Sequence, residues 1–192
     1  TIHLTAGEFS PSNNNETFSI IMFSYINLIG QSEELTLLNA EQTQRVIVID
    51  NAEDVSISDL SIINGLVVWP EKGGGIYCDS SDPVINNVFM FGNSAQSGGA
   101  IYLISSSPTL TNMSISGNTA VHSAPGLYSF GGSSPYLNNV IFNENIGLDG
   151  TGDGGAIYFH GTTATVNPIL ENVTITNNTN RYGAGISSEG SN

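Results

Sequence analysis

Apolar residues through the middle of this chain alternate with polar ones in runs of three or four. They do not keep the three-and-four spacing of a helix. In one stretch the runs fall at 100–103, 109–111 and 113–116. Period two over so few residues predicts short β-strands. Gly, Ser, Pro and Asn separate the runs, and these residues favour bends. The same text then returns. Gly75-Ile76-Tyr77, Ala100-Ile101-Tyr102, Gly126-Leu127-Tyr128, Ala156-Ile157-Tyr158 and Gly185-Ile186-Ser187 align as one column. Asn87, Asn112, Asn139 and Asn172 form a second, and Asn93, Asn118, Asn145 and Asn178 a third. Successive members of the second column are 25, 27 and 33 residues apart (112−87, 139−112, 172−139).

A repeat of this length, made of strands and bends, is the mark of a solenoid. The expected fold class is all-β: a right-handed, single-stranded parallel β-helix with three sheets, about six full coils and some partial ones. Coils stacked about 4.8 Å apart give a rod of about 30–35 Å. Equivalent residues then lie over one another. Ile76, Ile101, Leu127, Ile157 and Ile186 should form an inward aliphatic ladder. Ile85, Leu110, Leu137 and Leu170 should form a second. Val88, Met113, Val140 and Val173, with Met90, Ile115, Phe142 and Ile175, should form a third wall. Both Asn columns are expected at bends, because Asn tolerates left-handed backbone.

Along the chain, 1–4 reads as strand, 7–17 as a polar loop, and 18–63 as two more divergent coils. Residues 73–188 carry the regular repeats. All 192 residues form one domain, with 1–72 as its divergent N-terminal coils. The chain starts in strand-like text and stops in an unfinished turn, which suggests a mature or excised piece of a longer exported protein. Connections at 66–72 and 146–153 break the repeat length at one corner. In solenoids, insertions on one face often mark the binding face.

Charge narrows the partners. Three Lys and Arg against 17 Asp and Glu give a net charge of −14, which excludes nucleic acid and anionic lipid as natural ligands. Only 10% of residues are charged, so the surface is mostly uncharged polar, unlike most cytosolic surfaces. No apolar run is long enough for a membrane helix, so no membrane insertion by this segment is expected. Cys78 is the only cysteine and shares parity with Ile76, so a buried thiol is expected.

Gly98-Gly99-Ala100-Ile101 and Gly154-Gly155-Ala156-Ile157 resemble the Gly-Gly-Ala-Ile tetrapeptide of the polymorphic outer-membrane protein repeats. Phe142-Asn143-Glu144-Asn145 is similar to their Phe-x-x-Asn signature. The resemblance covers about residues 73–188. It implies an autotransporter-type surface β-helix, linked to adhesion and exposed outside a bacterial cell; it supplies no ligand.

The residues themselves offer further chemistry. Tyr77, Tyr102, Tyr128 and Tyr158 alternate with the inward column, so they are expected as an exposed aromatic ladder. Such a ladder serves either as a sugar or protein contact surface or simply to stabilise in-register strands. Trp69, in the 66–72 connection, joins them as a candidate ligand contact. Many β-helices cleave polysaccharides, and a lyase needs a base beside carboxylates. Lys72, Arg181 and Arg45 are the candidates. Aligning 48 with 76 sets Arg45 beside Lys72, and 186−157 = 29 sets Arg181 at the same corner. Asp149, Thr151 and Asp153 resemble the start of a calcium loop, but His160 stands where a bidentate Glu is required, so Ca2+ is at most a weak ligand. No other cofactor is expected. The leading expectation is a non-catalytic exported β-helix, an adhesin or spacer. Its partners would be other copies stacked end to end, or a surface glycan or protein. The alternative is a carbohydrate-active enzyme or glycan-binding module.

Overall fold

The computed structural model describes residues 1–148, 154–161, 167–181 and 183–190. They form a parallel β-solenoid of about seven turns and three sheets. One sheet stacks seven strands: Ile20–Met22, Ile47–Asp50, Ile76–Asp79, Ile101–Ile104, Leu127–Phe130, Ile157–His160 and Ile186–Glu189. We call it the tyrosine sheet. A long sheet of nine strands includes Ser56–Ile63, Val84–Phe91, Thr109–Ser116, Tyr136–Asn143 and Ile169–Thr176. A short sheet joins Ser94–Ser97, Thr119–Ser123 and Ile146–Gly147.

The expected ladders stand. Ile76 pairs with Ile101, Ile101 with Leu127, Leu127 with Ile157, and Ile157 with Ile186. Ile85, Leu110, Leu137 and Leu170 stack likewise. All but the last member of each ladder are buried, in one continuous core. A single coil cannot cover its own apolar interior; its two neighbours do so, which is why the same residue type recurs at each level.

Three expectations change. The second and third runs of each coil are one eight-residue strand rather than two, kinked at a left-handed Asn. Asn87, Asn112, Asn139 and Asn172 have φ between 51° and 57°, and pairing resumes on both sides of the kink. The third strand of the coil is instead the short one after the second Asn column. That second column is not left-handed. Its members are buried, and their amides bond along the stack. The 7–17 segment is more than a loop: Gly7–Phe9 pairs with Thr36–Asn39, and Pro11–Asn14 forms one helical turn. Ser10 caps that turn, its Oγ accepting from the Asn13 N–H, and Pro11 sits where no N–H is needed.

The two sequence signatures have physical causes. Gly98 adopts φ +63°, a region costly for residues with a Cβ. At Gly99 an added Cβ would stand 2.2 Å from the Thr119 carbonyl oxygen across the coil, so no side chain fits. Ala100 is fully buried, and Ile101 belongs to the ladder. In the other signature Phe142 fills the core and Asn145 joins the buried amide stack.

Cys78 is 1% exposed, with its Sγ 3.3 Å from the Ser81 carbonyl. Burial pushes the thiol up to about 12 from 9.0. A folded value raised above the unfolded one means the protonated thiol adds stability in full below about pH 9, and that increment is lost as pH rises toward about 12. A disulfide reagent at neutral pH is therefore expected to leave Cys78 unmodified in the native chain. It should label about one thiol per chain once urea unfolds it. Rapid native labelling would contradict the burial.

Candidate functional site

The four tyrosines do stack on the outer face of their sheet. The Tyr77 and Tyr102 rings lie 5.8 Å apart and 3° from parallel, and Tyr102 and Tyr128 5.0 Å apart at 18°. Tyr128 and Tyr158 meet edge to face at 5.1 Å. The ladder is not the exposed surface that alternation predicts. Tyr102 and Tyr158 are each 3% exposed, and Tyr77 and Tyr128 are half-buried. The glycine bends explain this. At Gly98 an added Cβ would lie 2.9 Å from the Tyr102 Cβ, and at Gly154 2.5 Å from the Tyr158 Cβ. The incoming backbone thus packs tightly against the base of each of these two side chains. Burial also drives the Tyr102 hydroxyl well above its ordinary range, with Tyr128 and Tyr77 adding to the effect.

Two of the three basic residues close this layer. The Arg45 guanidinium lies 5.0 Å above the Tyr77 ring, donates from Nε to the Gly73 carbonyl at 2.8 Å, and from Nη2 to the Lys72 carbonyl at 2.7 Å. It also pairs with Glu71 at 3.0 Å, and its side chain is 12% exposed. Lys72 sets its Nζ 5.1 Å above the Tyr102 ring and 3.3 Å from the Tyr102 hydroxyl. Arg45 and Lys72 therefore sit side by side as structural clamps on rings. Arg181 is not with them. The pairings from Leu66 to Ser94, Thr119, Ile146 and Thr179 set its level four coils away, about 19 Å along the axis. The three cations share an edge but form no single site. Trp69 lies on that edge, 76% exposed.

Asp149, Thr151 and Asp153 fall outside the described residues. Among the described residues, no three His, Cys, Asp or Glu side chains converge to hold a metal ion.

A second surface escaped the sequence reading. Beyond the kink of the long sheet, on its C-terminal side, Leu37, Ile63, Phe89 and Phe91 line a groove of about 400 Å³, with Glu33 and Glu34 on its rim. The first full coil takes ten residues from ladder position 28 to ladder position 38, where the next coil takes five from 57 to 62 (38−28 = 10, 62−57 = 5). The five extra residues form the overhanging rim. The signal was present in that unequal spacing, and in the outward parity of Phe89 and Phe91.

The family model of the Chlamydia polymorphic membrane protein repeat matches residues 139–160. The chain is a β-helix repeat protein resembling the polymorphic membrane proteins. No curated protein and no solved structure matches it. The polymorphic membrane protein repeat spans the step from one coil to the next: Phe142 and Asn145 close one level, and Gly154-Gly155-Ala156-Ile157 opens the level above. No helix among the described residues is long and apolar enough to cross a membrane.

Proposed function

We propose that this chain is the exposed, non-catalytic shaft of a cell-surface protein, an adhesin or spacer that presents the flanks of its coils to other molecules. The observation that carries this reading is the polymorphic membrane protein repeat at 139–160. The placement of the cations supports it. A lyase base works beside carboxylates, whereas Arg45 is largely enclosed on the Tyr77 ring and the 72–73 carbonyls, and the exposed Lys72 lies over the Tyr102 ring and makes no ion pair among the described residues. The uncharged polar surface, rich in Ser, Thr and Asn, suits an exported rod.

Microspheres coated with the folded chain test the proposal on epithelial monolayers under flow. Retention several-fold above albumin-coated spheres is the expected result for an adhesin. In parallel, acidic polysaccharides are incubated with the chain and their reducing ends followed. Depolymerisation that disappears in Lys72→Ala or Arg45→Ala would overturn the non-catalytic reading.

A further inference from the structure

The groove under the 30–35 loop is more apolar than its fold requires. Outward positions along the long sheet form two columns. One runs Leu37, Ser61, Phe89, Ser114, and the other Asn39, Ile63, Phe91, Ser116. The coil above the phenylalanines carries Ser114 and Ser116 at the same positions, so the architecture accepts small polar residues there. Phe91 nevertheless remains 47% exposed, and the Phe89 and Phe91 rings lie 5.9 Å apart and 11° from parallel. Phe91 leans over Gly117, where an added Cβ would stand 2.6 Å from the ring.

The rim is rigid and acidic. The Ser61 hydroxyl donates to the Glu33 carbonyl at 2.5 Å, and the Gln31 N–H donates to Thr36 Oγ1 at 3.0 Å. The Thr36 N–H closes the turn on the Ser32 carbonyl at 3.0 Å. The backbone of the loop is thus held before any partner arrives, which lowers the entropy lost on binding. Glu33 and Glu34 line the groove and have no ion-pair partner among the described residues. Arg45 and Lys72 belong to the other edge. The volume, about 400 Å³, matches a few side chains and lies at the small end of ligand pockets.

We propose that this groove docks a cationic amphipathic segment of a partner protein, an apolar or aromatic side chain seated on Phe89 and Phe91 and a Lys or Arg paired with Glu33 and Glu34. Charge complementarity selects that occupant. A chain of net charge −14 repels a second copy and any acidic ligand, and draws a basic one. The exposed rings then distinguish a basic amphipathic segment from a merely basic one, since stacked aromatic anchors carry most of the energy of such contacts.

The probe is a fluorescein-labelled nonapeptide alternating Lys and Phe, read by anisotropy against the folded chain. Two control peptides replace Lys by Glu or Phe by Ser. Saturable binding is expected for the first peptide alone. Phe89→Ser with Phe91→Ser should weaken it about tenfold or more at unchanged circular dichroism. Glu33→Gln with Glu34→Gln should weaken it similarly and flatten its salt dependence. Equal binding of the Ser-for-Phe peptide, or no effect of the Phe variants, would assign the attraction to net charge and overturn the proposal. So would absence of binding up to millimolar peptide. Sedimentation showing a dimer that Phe91→Ser abolishes would assign the face to a second copy, and a glycan-array signal lost in the same variant would assign it to sugar; either defeats the peptide proposal. The assay uses the isolated chain, so its failure leaves the cell-surface reading standing.

Discussion

Asn118→Ala is expected to lower the unfolding free energy by about 3–4 kcal/mol, measured by urea denaturation. The residue is fully buried in the middle of the stack. Its Nδ2 donates to the Met90 carbonyl at 3.1 Å, the Ser116 carbonyl at 3.1 Å and Asn145 Oδ1 at 3.0 Å. Its Oδ1 accepts from the Asn93 N–H and the Asn93 Nδ2, each at 3.0 Å. Asn93 and Asn145 repeat the scheme, so one amide per coil ties three levels together. Alanine leaves the Asn93 N–H without this acceptor where water does not reach, and a buried orphan donor or carbonyl costs about 1–3 kcal/mol. Solenoid stability is a sum of coil and interface terms, and this truncation weakens the interface on each side. The outer column gives the contrast. Asn112 is exposed and left-handed at φ 52°, and Asn112→Ala forfeits about 1–2 kcal/mol of backbone preference with no buried group stranded. Equal losses at 112 and 118 would show that the buried amides contribute nothing special.

Those two columns also show what a reading of residues can and cannot deliver. Stacking forces like onto like, so the repeat of Ile76, Ile101, Leu127 and Ile157 announces the ladder by itself. The Asn columns looked equivalent because the same side chain suits two tasks. It tolerates positive φ at 112, and it satisfies backbone groups inside the coil at 118. Parity placed Tyr102 on the outer face correctly, yet parity does not report what lies above a residue. The Gly98 bend and Lys72 cover it. Column alignment put Arg181 on the right edge, which fixes only its angle about the axis; its height was legible too, since 76, 101, 127, 157 and 186 count four coils between its level and that of Lys72. The apolar groove was hidden differently. Its rim comes from the divergent 30–35 stretch, where the repeat offers no template. Its floor uses outward Phe residues that read as breaks in a polar row.

A coupled pair of substitutions tests how tightly the coils are fitted. The third residue of the Gly-Gly-Ala-Ile column faces the core residue that precedes each buried Asn. Gly75 meets Met90 and Gly126 meets Phe142, while the sequence sets Ile115 at the corresponding place after Ala100 and Ile175 after Ala156; Gly185, at the last level, lies 3.8 Å from Ile175 with open space beyond. Large or long partners go with glycine, and branched Ile goes with alanine. At Gly126 an added Cβ would stand 2.7 Å from Phe142 Cδ1 and 2.5 Å from the Ala156 carbonyl oxygen. Gly75 has the same backbone constraint, 2.6 Å from the Ala100 carbonyl, but its side-chain neighbour is the mobile end of Met90 at 2.7 Å. Gly126→Ala is therefore expected to destabilise the chain by about 2–3 kcal/mol, the range of an overpacked core, and Gly75→Ala by less. Phe142→Ile alone should remove about 1–2 kcal/mol by opening space. Combined, Gly126→Ala with Phe142→Ile recreates the Ala100 and Ile115 arrangement of the neighbouring coil. The double variant is expected to be more stable than the sum of the two losses by at least about 1 kcal/mol in a denaturation cycle. Losses that add to within about 0.5 kcal/mol would mean that the backbone contact alone sets the glycine, and that the size matching between the two columns has no energetic basis.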